Sequence, residues 1–508
     1  MKIKLLLLAL LFSCSVFAQS KVFENVIDIE LKGTVEITNN KQIVGYAFFY
    51  KIDKLKKASL YRLSILDENL KEIGSNEFEG AKDLVLKKAA YESNQILLSF
   101  FDISKKDGYD KFVKIFDLKG KELSNIAYEP ESQRTGLFGS SMAAQLESIY
   151  EGTENIEGKG FVTLYQSKAK TGGIDIQMIG LGGKLKWQKN ITAEKGDRTE
   201  IYLLGTTTNA ILLFEMDRSG IMSRDATIFL VGLSTETGKQ LYRKPMDIKG
   251  ISYEPMMIKL GPDGKLKIVS TMTNEEDKFL TAKPIGFSIA NLNDITGEIN
   301  TLKDFNFLND LGTVLTMKNE SKSEEGYIKS HNICMMQDGS MVMVGEFFRK
   351  TVSAAGMAFK IINGGNGSAA QITIENMFLM RIDKNLKVKS MDIIEKDKER
   401  VLLPTEMMSV GIASRLLTMQ HSFGYMYTDE GTDGRKKTIM ARGTFGEDKY
   451  GTVAITFDDK KGFTQKRFDF EKEKKVTYHI SRGKPGYIMI SKYNAKAKTI
   501  TVNLEKVN

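Results

Sequence analysis

The segment at residues 378–393, FLMRIDKNLKVKSMDI, constrains the fold more than any other feature of the chain. Phe378, Met380 and Ile382 alternate with Leu379, Arg381 and Asp383, the two-residue period of a strand with two distinct faces. Asp383, Lys384 and Asn385 then turn the chain, and Leu386, Val388 and Ser390 begin a polar return. Asp and Asn suit such turns because they tolerate positive φ or bond to nearby backbone. Hairpins of this kind recur at 60–78, 114–126, 175–191, 227–246, 286–302 and 452–470. A chain of 508 residues exceeds what one ordinary core supports, so a repeated hairpin points to a repeat array or several domains.

A second class of hairpin alternates with the first. Its strands are more continuously apolar, the pattern of strands buried on both faces, at 84–101, 200–216, 256–272, 332–348 and 477–493. Together they give four antiparallel strands per repeat of roughly 50 to 65 residues, buried inside and polar outside. That is a β-propeller blade, and the regular alternation argues against a large β-sandwich or tandem β domains. The predicted fold is all-β, a propeller of eight four-stranded blades, with seven as the alternative. The blades run at about 32–80, 83–130, 144–193, 199–247, 252–304, 328–394, 416–470 and 475–508. The last has room for three strands, and a spare strand at 25–31 is expected to complete it, closing the ring and removing a free edge.

Residues 1–18 read as a secretory signal: Lys2 and Lys4, an apolar run at 5–12 too short to span a bilayer, and Ala18 at the cut. Residues 19–508 then form a single propeller domain that is periplasmic or extracellular. Cys14 offers a lipid-anchored alternative, with the bulky Phe12 against it. After cleavage Cys334 is the remaining cysteine, read as a buried thiol. The net charge of +9, or +7 without Lys2 and Lys4, is mild and favours anionic surfaces over any specific ligand. Export argues against nucleic acid, and no other segment is long and apolar enough to be a transmembrane span.

Turns within both hairpin classes are short, whereas long segments fall at 131–143, 305–327, 349–376 and 395–415. In a four-stranded blade these two sets lie on opposite faces, so one face is expected to be plain and the other built up for binding. Short helices are expected near 140–149 and 407–417. The glycine-rich stretch at 363–370 lacks the Lys-Ser/Thr ending of a nucleotide loop, and 429–434 lacks the ligands of a calcium loop, so no cofactor is expected.

Three side-chain sets are candidates for chemistry. His331, His421 and His479 are the three histidines of the chain and sit on predicted inner strands of successive blades, where imidazoles bind zinc or copper. Glu147, Glu200 and Glu254 fall near inner-strand starts of adjacent blades, where paired carboxylates perform acid/base work on a glycan. Exposed apolar groups on long segments, such as Leu137, Phe138, Phe305, Phe307 and Leu308, favour a protein partner. Neither a G-x-S-x-G nor an H-E-x-x-H run occurs.

On these repeats, nearly the whole mature chain resembles bacterial secreted β-propeller proteins of unknown function. WD and kelch signatures are absent, so the resemblance carries over no functional residues. It implies a ring with a binding face. The function expected is a non-enzymatic binding or scaffold protein of the cell envelope, engaging a protein or glycan with its long-loop face. The alternatives are an envelope enzyme acting on a glycan through channel carboxylates, and a metal-binding propeller.

Overall fold

A computed structural model describes residues 19–29, 34–39, 42–104, 110–128, 152–166, 173–192, 198–219, 225–278, 281–353, 357–358, 369–403, 410–419, 422–429, 434–444, 450–458, 462–470 and 473–507. Among them the chain forms eight antiparallel sheets. The fold is an all-β propeller type built from four-stranded blades. The apolar hairpins supply the first two strands of a blade and the alternating hairpins the last two, as the periodicity predicts. Two compact units result, one of residues 1–129 with 472–508 and one of residues 130–471.

Three sheets belong to the first unit. One runs Leu84–Glu92, Gln95–Asp102, Asp110–Asp117, Glu122–Tyr128. Another holds Gln42–Lys54, Ala58–Asp67 and Glu72–Ala81, with Val35–Asn39 and Asp28–Ile29 both paired to Gln42–Lys54. The third holds Val476–Arg482, Tyr487–Asn494 and Thr499–Lys506, completed by Gln19–Phe23. The completing strand is therefore 19–23, not the expected 25–31. Asn25 adopts a left-handed φ of 59°, which ends the strand. Phe23 meanwhile packs against Phe48 and Tyr50, each ring centroid 5.4 Å away. Asp28–Ile29 then turns to the neighbouring sheet.

The second unit holds five sheets, with Gly152–Ile156, Arg198–Thr206, Ile251–Leu260, Tyr327–Met335 and Tyr425–Asp429 as the first strand of each blade; short strands at Asp247–Ile248 and at Met317–Asn319 with Lys322–Ser323 extend the third and fourth. Each packs on the next through shared apolar side chains. Ile176 and Met178 meet Ile211 and Leu213, Leu212 and Leu230 meet Ile268, and Leu379 meets Ile439. Middle strands such as Ile174–Gly180 are buried throughout, and last strands such as Gly462–Asp469 are largely exposed.

The turns repeat one device. Asp67, Asp117 and Asp383 each accept two backbone N–H groups through Oδ1, from the residues two and four positions later, at 2.9 Å. The residue three positions on is left-handed in every case: Leu70, Gly120 and Leu386. An aspartate thus fixes each hairpin's register without tertiary help.

Phe305 and Phe307 are not the exposed groups expected of a long loop. Both are buried, and Phe305 stacks on Phe287 with ring centroids 4.5 Å apart. Phe307–Leu311 forms a helical turn whose cap, Asn306, accepts from Asn309 N, leaving Leu308 exposed. The helix expected at 407–417 is present as Val410–Met419. Among the described residues no helix is long and apolar enough to cross a membrane.

Candidate functional site

The tertiary structure treats the candidate residues differently. His331 lies on Tyr327–Met335 in the second unit and His479 on Val476–Arg482 in the first, while His421 lies outside the described residues. Among the described residues no three His, Cys, Asp or Glu side chains form a metal-ligating group. Glu147 lies outside the described residues, as do 131–143 and most of 429–434 and 363–370. Glu200 accepts from Arg218 and from Tyr202 Oη, the latter at 3.2 Å, so its carboxylate is engaged within its own sheet. Glu254 is half-buried on Ile251–Leu260, opposite Thr271.

Around His331 the sequence builds a buried polar cluster. Glu346 sits on the neighbouring strand Met341–Val352, and its side chain is fully buried. His331 Nε2 lies 2.9 Å from Glu346 Oε2. Lys396, also fully buried, places Nζ 2.5 Å from Oε1 and forms an ion pair with it. Gly424 N and Tyr425 N donate to the two carboxylate oxygens at 3.1 and 3.2 Å. One carboxylate thereby joins two strands of one sheet, the link between Val388–Ile394 and Glu399–Leu402 of that sheet, and the start of the next.

The electrostatics follow from this crowding. Burial raises the Glu346 carboxyl, but the hydrogen bond with His331 and the Lys396 charge outweigh it and hold it at about 2. Burial pushes the His331 imidazole below its ordinary value, against the upward pull of Glu346. An ionised carboxylate only accepts, so neutral His331 donates from Nε2. Burial also raises the nearby Glu399 carboxyl, against the Lys396 charge. His331 is further fixed by parallel stacking on Tyr425, ring centroids 5.2 Å apart. Gly424 has no room for a side chain: an added Cβ would stand 2.6 Å from Arg442 O and 2.8 Å from Lys396 Nζ. A carboxylate so fully engaged is a latch rather than a proton-transfer group.

Beyond the latch the blade is built up. Met341–Val352 and Ala370–Ile382 continue past Phe348 as a ribbon, and Glu399–Leu402 adds a third strand at 371–374. Val410–Met419 covers one side, with Ala413 and Leu417 against Phe348, Ile372 and Ile374. The ribbon's tip is apolar and open to solvent: Val352 is 64% exposed, Leu402 61% and Met357 51%. Val352 lies opposite Ala370 and Leu402 opposite Gln371, so the two side chains leave from opposite sides of the tip.

Sequence reasoning found His331 and missed Glu346, Lys396, Gly424 and Tyr425. The available signal was Glu346 itself, a lone acid inside the apolar strand MVMVGEFF. A charge there must be paired on burial. Its partners lie 50 and 78 residues further on, beyond the reach of periodicity.

Comparison with other proteins adds a family and likenesses to solved structures. The model of a family described as "Family of unknown function (DUF6770)" matches residues 1–508. No curated protein matches the chain. Prolyl oligopeptidase B from Galerina marginata is 8% identical, with a TM-score of 0.39, over 94% of this chain and 55% of that one. This chain thus spans little more than half of that peptidase's length. TolB from Acinetobacter baumannii is 13% identical, with a TM-score of 0.26, over 81% of this chain and 80% of that one. The β-propeller domain of the Trilobed protease from Pyrococcus furiosus is 10% identical, with a TM-score of 0.36, over 84% of this chain and 98% of that domain.

Proposed function

Because the chain belongs to a family of unknown function, we propose from its own residues that it is a non-enzymatic binding or scaffold protein of the cell envelope. It engages a protein partner, or a glycan, through the built-up side of the sheet that holds Tyr327–Met335. The observation carrying this reading is the ribbon tip, where Val352, Leu402 and Met357 present large apolar side chains to solvent. Exposed apolar groups on a projecting element suit a protein interface. The engagement of Glu200 by Arg218 and of Glu346 by four donors adds support, since neither carboxylate is left for acid/base work.

The test captures partners from envelope extract on residues 19–508, alongside a V352D/L402D variant. A defined protein or glycan retained by the parent and lost by the variant supports the reading. Equal retention by both, or none by either, counts against it. Export is part of the proposal and has its own check. Mass spectrometry of the secreted chain is expected to find Gln19 at the N-terminus, and a diacylglyceryl Cys14 overturns simple cleavage.

A further inference from the structure

On the hairpin-turn side of the second unit, two adjacent sheets enclose an open groove of about 540 Å³, within the size range of small-molecule sites. One wall is the turn at 207–209, between Arg198–Thr206 and Ala210–Arg218. The other comes from two turns of the next sheet, at 261–265 and 293–298. Thr207 Oγ1 donates to Asp294 Oδ2 at 2.6 Å and ties the walls together. Lys267 donates to Asp263 Oδ2 at 2.7 Å and to Asn291 Oδ1, so its charge is neutralised and the Asn291 amide is oriented.

We propose that this groove binds a neutral saccharide segment. Asn209, Asn291 and Asn300 line it. The Asn209 amide offers donor and acceptor side by side, while Lys267 occupies Asn291 Oδ1 and leaves its Nδ2 to donate, and Asn300 Nδ2 leans on Glu298 Oε1 at 3.4 Å and leaves its Oδ1 to accept, with Asp294 and Glu298 as further acceptors. Sugar hydroxyls donate and accept at neighbouring positions, and this lining matches them. Leu260, 57% exposed, supplies an apolar strip for the C–H face of a sugar ring. The lining carries two carboxylates, Asp294 and Glu298, against one lysine, Lys265, so its net negative charge disfavours uronates and phosphates. No aromatic ring lines the groove, so binding is expected in the millimolar range. This site is separate from the ribbon tip, which lies where the second and third strands of a blade connect.

Saturation-transfer NMR on residues 19–508 tests the proposal, with cellotetraose, maltotetraose and tetragalacturonate as probes. The expected result is transfer from the protein to at least one neutral tetrasaccharide and none to the uronate. Binding should weaken by about fivefold or more in N209A/E298Q at unchanged melting temperature. L402D, at the ribbon tip, should bind as the parent does, so this proposal and the partner reading fail separately. No transfer to either neutral probe, preference for the uronate, or undiminished binding by N209A/E298Q overturns the proposal.

Discussion

Glu346 is the residue on which the charge balance of its blade turns. Replacing it with Gln removes the nearer counter-ion of buried Lys396 and leaves only Glu399 Oε1 at 3.7 Å, a change expected to cost about 3 kcal/mol in urea unfolding. E346Q/K396M removes both charges and should recover much of that loss, whereas an isolated ion pair of no structural weight would show no recovery. The same group sets the response to acid. Its folded value of about 2 lies below its ordinary 4.5, so its contribution is complete above 4.5 and lost as pH falls toward 2. That difference is worth on the order of 3 kcal/mol. His331 acts earlier. Burial lowers its pKa in the fold, with Lys329 and Lys396 also opposing its proton, so the unfolded chain is protonated first and stability falls as pH drops below 6.5. Unfolding midpoints between pH 7.5 and 3.5 should decline in both ranges, and H331N should lose the upper part. An unchanged upper slope in H331N would assign it to another group.

Turns and strands set a different problem, in which local conformation competes with packing. Lys498 is exposed at a turn with φ of 56°, and only its backbone oxygen is engaged, by Val26 N. K498G should therefore stabilise by about 1 kcal/mol, because glycine adopts that conformation without strain. Leu70 has a similar φ of 65° but is buried among Phe23, Tyr46 and Leu504. L70G should destabilise on balance, since burial worth about 1.5–3 kcal/mol outweighs the strain relieved. Thermal unfolding of the two variants should shift in opposite directions. The hairpin at 60–78 was legible beforehand, because an Asp-x-x-x-Lys turn at Asp67 is a local device. The sign of each substitution was not, because burial depends on what another sheet brings against the turn.

At the scale of the whole molecule, the first unit draws its third sheet from both ends of the described chain. Deleting residues 19–23 removes Phe23 from its core and bares the edge of Thr499–Lys506. The expected outcome is aggregation above micromolar concentration, seen by light scattering, with the hairpin 476–494 left intact by hydrogen exchange. A monodisperse truncated protein would mean that the edge is protected otherwise. The alternation of apolar and polar hairpins determined by itself that the chain is all-β and built as blades, because strand period and turn chemistry act over a few residues. It also placed His331 on the first strand of its blade. Tertiary structure alone decided that 19–23 rather than 25–31 completes the C-terminal sheet, that Phe305 and Phe307 turn inward, and that Glu346 gathers His331, Lys396, Gly424 and Tyr425. Each of these depends on partners tens to hundreds of residues away. The free energy that selects them is the burial of apolar surface and the pairing of buried charge, and neither exists until the sheets have met.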